Sequence, residues 1–213
     1  MAHRIFVLSP ASCGGERARL LIRTKADFPL ARRLREAGGA PIGEVFSFMS
    51  GLYFRGKLAY ARTFAAPPPE VAGALVITPT RGLVPPEAPV TRRDILEFAA
   101  VPIDAGERRY RKPFERDARA LADRLGPDDE VVLLGSIATA KYIDVLGGVL
   151  GARVRFPADF AGRGDMSRGG LLLRSARERR ELPYVGVGAG ARRGRRPPRL
   201  PPVPRTARGV SEP

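Results

Sequence analysis

Three short apolar runs constrain what this chain can fold into more than any other feature. Arg4–Leu8, Ala74–Thr78 and Val131–Leu134 are four or five residues long, and each breaks off into small, hydroxylated or proline residues: Ser9-Pro10, Pro79-Thr80 and Gly135-Ser136. Such runs are too short for buried helices and lack polar alternation, so they read as strands covered on both faces. Arg153–Phe156 reads as a fourth strand. Between them lie segments with helical spacing. Val45, Phe46, Met49, Leu52, Tyr53, Leu58 and Ala61 recur at three- and four-residue steps from Ile42 to Ala65. Gly51 and Gly56 weaken that pattern, so two helices with a bend are expected, stopped by Pro67-Pro68-Pro69. Tyr110 to Leu125 reads as an amphipathic helix closed by Gly126-Pro127, Ile137–Leu150 as a helix, and Asp94–Phe98 as a helical turn. Leu171–Arg174 and Leu182–Val187 read as the two arms of a hairpin across Arg177–Arg180.

Short buried strands alternating with helices give an α/β class: a mostly parallel sheet of about four strands, helices on both faces, and a C-terminal hairpin. Residues 1–187 form this domain. Residues 188–213 have no apolar period and are dominated by Arg, Pro and Gly, so a disordered tail is expected there.

Charge narrows the partners. Net charge is +15, unevenly spread. Basic residues outnumber acidic ones 11 to 4 over residues 1–65, 8 to 4 over 151–185 and 7 to 1 over 186–213, whereas residues 66–150 hold 11 against 13. Clustered positive charge favours a nucleic acid or a nucleotide; the competing reading is a solvated surface in an arginine-rich proteome. No run approaches the roughly 20 apolar residues that cross a membrane. A single cysteine, Cys13, rules out an intrachain disulfide, and the N-terminus lacks a signal peptide's apolar stretch, so a cytoplasmic location is expected. With His3 alone and no ligand cluster, neither a metal nor another cofactor is expected.

In a parallel α/β sheet, ligands bind beyond the carboxyl ends of the strands. Four segments follow strands directly and mark a candidate site. Ser9, Ser12, Gly14 and Gly15 belong to a small-residue loop able to aim backbone amides at an anion. Cys13 in that loop is a candidate nucleophile, with its pKa lowered if it meets a helix N-terminus or Arg17. Arg81 and Gly82 follow the second strand. Gly135, Ser136 and Thr139 follow the third, with phosphate-loop character but neither a Walker sequence nor a dinucleotide fingerprint, and Lys141 lies one turn on. The stretch Gly162–Gly170 sets Arg163, Ser167 and Arg168 around Asp165 on a glycine-rich backbone. The arginines suit phosphate or carboxylate, and Asp165 is a candidate catalytic or base-orienting acid. Its competing reading is a flexible surface loop. Tyr53, Arg55 and Lys57 mix aromatic and basic groups as single-strand nucleic-acid contacts do, although aromatics on a periodic helix also serve as core.

Cys13 after a strand, then Gly51-Leu52-Tyr53-Phe54-Arg55-Gly56-Lys57-Leu58-Ala59-Tyr60-Ala61, then Leu75 through Pro86, together resemble an uncharacterised family of bacterial and phage proteins. The family's pattern is a Cys-loop, an "LY…F…YA" helix and a strand running into "GLL-x-P". The same order is similar, more faintly, to YaaA peroxide-stress proteins and to a domain of archaeosine synthase, over about residues 4–146. The resemblance implies an α/β fold and an association with nucleic acid or nucleobases. In archaeosine synthase a loop lysine is the working residue; the matching stretch here, Gly14-Gly15-Glu16-Arg17, has none. Only the placement of the Cys13 and Arg81-Gly82 loops beside a pocket is therefore carried over.

Three functional readings remain open: a nucleic-acid- or nucleotide-associated protein with a rim pocket for a small ligand or anion; a nucleoside- or nucleobase-processing enzyme; and an interaction module docking a protein partner through residues 188–213, which contain Arg196-Pro197-Pro198-Arg199-Leu200-Pro201-Pro202.

Overall fold

In a computed structural model that describes residues 2–187, the three apolar runs are the centre of the molecule. Strands β1 (Arg4–Leu8), β3 (Ala74–Thr78), β6 (Glu130–Leu134) and β7 (Val154–Pro157) lie parallel in the order β3-β1-β6-β7. A short antiparallel strand closes each edge: β4 (Gly82–Val84) beside β3 and β8 (Tyr184–Gly186) beside β7. Leu8 pairs with both Val76 and Leu134, so β1 and β6 end level at their carboxyl ends and β3 runs two residues further, to Thr78. A two-stranded ribbon, β2 (Ala40–Pro41) with β5 (Pro89–Val90), stands apart.

Side chains alternate across the sheet as the pleat requires. Phe6, Leu8, Val132 and Leu134 face one layer of helices: α1 (Glu16–Ile22), α2 (Pro29–Arg33), α3 (Ile42–Ser50), α4 (Leu52–Phe64), α5 (Arg92–Ala99) and α8 (Asp165–Glu178). Ile5, Val7, Val131 and Leu133 face the other, formed by α6 (Arg108–Ala122) and α7 (Ala140–Leu150). The α/β class and the parallel core thus stand.

The expected bend falls at Gly51, between α3 and α4. Its φ of +61° is open to glycine and strained for other residues, and a Cβ there would lie 2.6 Å from an Arg17 guanidinium nitrogen. Two expectations change. The stretch Gly162–Gly170 is not a loop throughout, because Asp165 begins the 14-residue helix α8, which also absorbs Leu171–Arg174, the supposed first arm of the hairpin. The second arm contributes β8, which pairs with β7 rather than with its own neighbour in sequence. Packing explains the helix. A Cβ on Gly56 would lie 2.6 Å from the Gly169 carbonyl oxygen, and one on Gly169 would lie 2.8 Å from the Tyr53 Cα. The two helices meet backbone to backbone, and that contact overrides glycine's poor intrinsic propensity. Residues 16–40, which show only weak periodicity, form the short helices α1 and α2. The expected disordered tail, and with it the polyproline-like segment, lies outside the described residues.

Candidate functional site

The topology fixes where a crevice opens. The chain leaves β1 toward one face of the sheet, into α1–α4, and leaves β6 toward the other, into α7. β1 and β6 are neighbours, so their outgoing loops part at the carboxyl rim, the switch point at which open α/β sheets hold ligands. A cavity of about 520 Å³ lies there. Ser9, Ser12 and Gly15 enter it from the β1 loop, Ser136 from the β6 loop, Lys141 and Tyr142 from the first turn of α7, Tyr53 from α4, and Asp165 from the start of α8. The Arg17 and Glu16 side chains complete its charged wall.

Beneath this wall sits the most unusual group in the molecule. Lys57 is 1% exposed and, among the described residues, forms no ion pair with a carboxylate. Its Nζ donates to the Ser9 carbonyl oxygen at 2.6 Å and to Ser9 Oγ at 2.9 Å. The ammonium also stands 4.4 Å from the centroid of the Tyr53 ring and 4.9 Å from that of Phe54. Burial pushes the lysine down to about 7; Asp165 opposes this shift and the Arg168 cation assists it. Both groups reach Lys57 only because the Gly56–Gly169 contact draws α8 against α4. Lys57, expected as a nucleic-acid contact, is therefore no surface cation. Arg55, one turn away, is exposed.

Tyr53 shares the interior. It is 6% exposed, its hydroxyl makes no hydrogen bond of ordinary geometry among the described residues, and burial raises it to about 12 even with the Arg168 cation close by. At this edge of the cavity the hydroxyl lies in the field of the Arg168 cation. Gly135 finishes the Ser9 side differently. A Cβ at Gly135 would lie 2.9 Å from Ser9 Cβ and 3.2 Å from Ser9 Oγ, so glycine keeps the space around that hydroxyl clear.

The remaining sequence candidates lie elsewhere. Cys13 is buried in the hydrophobic layer, its Sγ turned to the Ala11 carbonyl at 3.8 Å, and burial raises the thiol to about 12. The expected lowering is reversed because the apolar surroundings disfavour the thiolate and no cation offsets them. Gly14 is exposed beside it. Arg81 forms an ion pair with Asp94 and stacks toward Phe98, while Gly82, at φ +69°, packs against Pro113 and Asp117 of α6. That loop does not border the rim cavity, because β4 folds back along β3 and turns it toward α5 and α6. Thr139 is the residue before α7, and its side chain makes no cap. Arg163 donates to the Asp159 carbonyl and to Ser167 Oγ, and Arg168 donates twice to the Phe160 carbonyl, so these three residues brace the turn before α8. Seven predicted residues therefore meet in one cavity: Ser9, Ser12, Gly15, Tyr53, Ser136, Lys141 and Asp165.

Sequence reasoning missed the burial of Lys57, yet a signal existed: the residue sits four positions after Tyr53 and four before Ala61, on the helix's own apolar stripe. It also missed a second hollow of about 570 Å³ where Thr80, following β3, meets Arg108, Arg109, Lys112 and Arg116 of α6 and Glu97 of α5; Arg109 is paired with Glu107 and Arg116 with Asp117. No family model, curated protein or solved structure matches this chain.

Proposed function

We propose that this chain binds a nucleotide, free or as a unit of a nucleic acid, in the cavity at the β1–β6 switch point. The observation that carries the reading is the chemistry converging there. Lys141 and Arg17 supply cations beside the first turn of α7, whose unpaired amides and dipole favour a phosphate. Ser9, Ser12 and Ser136 offer hydroxyls, and Glu16 and Asp165 offer acceptors for sugar or base donors. The buried Tyr53 hydroxyl, close to the Arg168 cation, lies on the same wall. The resemblance to proteins that act near nucleic acids points the same way. The basic hollow on α6 adds a surface able to follow a phosphate chain.

A thermal-shift screen of nucleoside mono- and triphosphates, nucleobases and short DNA and RNA, at low and high salt, tests this. A ligand at about 100 times its dissociation constant adds roughly 2.7 kcal/mol. A shift with mononucleotides, lost in Lys141→Ala with Arg17→Ala, supports the rim cavity. A salt-sensitive shift with polymers alone, weakened by Lys112→Ala with Arg108→Ala, moves the binding to the α6 hollow. The absence of any shift overturns the reading.

A further inference from the structure

From this geometry we propose that Ser9 and Lys57 are a nucleophile–base pair, and that the rim cavity carries out acyl transfer on a carboxylic ester or amide. The proposal rests on the cavity as a ligand site but goes beyond binding. Ser9 lines the cavity at the end of β1, and its Oγ stands 2.9 Å from the Lys57 nitrogen, within the reach that general-base catalysis requires. Gly135 leaves the hydroxyl unobstructed on the β6 side. Burying a lysine without a carboxylate in ion-pair contact costs several kcal/mol that a methionine would not, and a mere tie to the Ser9 backbone would not need an amine. Burial lowers the amine to about 7; Asp165 and the ring faces of Tyr53 and Phe54 favour the ammonium and the Arg168 cation opposes it, so neutral and charged forms coexist at ordinary pH. Asp165, also on α8, is the acid facing it, and its side chain is largely exposed. A neutral lysine beside a serine hydroxyl is a base in place.

The hydrogen bonds present allow the step. Neutral Lys57 keeps one N–H on the Ser9 carbonyl and turns its lone pair to Oγ. The Oγ hydrogen, which otherwise reaches the Leu134 carbonyl at 3.3 Å, moves to that lone pair. Oγ then bonds to the substrate carbonyl carbon, whose electrons shift to oxygen in the field of Lys141 and Arg17. Collapse breaks the bond to the leaving alcohol or amine, which takes the proton from Lys57. Water, deprotonated by Lys57, splits the Ser9 ester in the same way, so ester plus water becomes acid plus alcohol. No metal or redox partner enters. A cavity of about 520 Å³ admits a small substrate.

The test uses the full chain with diisopropyl fluorophosphate, which labels activated serines, and with p-nitrophenyl acetate. Expected is one phosphoryl adduct, mapped to Ser9, whose rate of formation rises with pH through a midpoint near 7. The adduct is absent in Ser9→Ala. Lys57→Met lowers both rates by about 100-fold or more, the ordinary contribution of a general base. The wild-type pH profile needs no variant, so a poorly folding Lys57→Met does not stall the test. No Ser9 adduct between pH 6 and pH 9, a pH-independent labelling rate, or wild-type labelling by folded Lys57→Met each overturn the pair. Wild type that binds nucleotides but takes no label leaves the pocket reading standing alone; labelling without nucleotide binding leaves the pair and removes the nucleotide.

Discussion

The two faces of the sheet solve the same burial problem differently. Against α6 and α7 the sheet packs conventional apolar volume: Tyr110, Phe114, Ala118, Leu121, Val145, Leu146 and Leu150 meet Ile5, Val7, Val131 and Leu133. The Tyr110 hydroxyl there donates to the Lys141 carbonyl at 2.7 Å. Against α4 and α8 the molecule trades side-chain volume for a backbone contact at Gly56 and Gly169, then seals an amine and a phenol inside. One face is built for stability. The other gives stability up where a cavity opens, as functional sites commonly do.

Four substitutions sharpen or break that contrast. The largest loss falls on the conventional face: Phe114→Ala removes a fully buried ring and lowers stability by about 3–5 kcal/mol in chemical denaturation, with ligand affinity of the folded fraction unchanged. Lys57→Met on the other face goes in the opposite direction, raising stability by about 1–4 kcal/mol below pH 7. There the lysine is charged in both folded and unfolded chains, and the whole cost of burying the charge is felt. As pH rises from about 7 toward the ordinary lysine value, only the unfolded chain keeps the proton. Wild type then gains at most about 1.4 kcal/mol per pH unit, and the gap to the variant closes. A gap that stays flat from pH 6 to pH 10 would show that Lys57 does not titrate across its burial. Gly56→Ala forces its Cβ into the Gly169 carbonyl and costs about 1–3 kcal/mol, with Lys57 labelled by amine reagents faster than in wild type as α8 lifts. Thr91→Ala removes the capping box at the start of α5, where Thr91 Oγ1 accepts from the Asp94 amide and Asp94 also holds Arg81. It costs about 1 kcal/mol and leaves the rim cavity intact.

The same contrast explains what the sequence disclosed. Strands β1, β3 and β6 were legible because a short apolar run that breaks off into Ser-Pro, Thr-Pro or Gly-Ser has few other uses; β7, interrupted by Arg155, gave a weaker signal. Their common direction places the β1 and β6 loops together, so Ser9, Ser12, Ser136 and Lys141 could be named as neighbours. Helix α8 was illegible because Gly164, Gly169 and Gly170 count against a helix in any local reading, and the justification for Gly169 lies on α4, more than a hundred residues earlier. The misplacement of Lys57 follows, because the groups that bury it arrive with α8. Cys13 was misjudged for the opposite reason: small residues around it suggest an open loop, whereas the loop folds inward onto the core. Arg163, Ser167 and Arg168 have the right chemistry for an anion but spend their donors on their own turn.

The Gly56–Gly169 contact also sets an order of events during synthesis. Lys57 leaves the ribosome early, in a helix that lacks its cover, and remains hydrated and protonated until Asp165–Glu178 has been made and has docked. The cavity is thus finished by one of the last segments of the domain. A chain stopped before α8 would carry every strand of the parallel core and still own no buried amine.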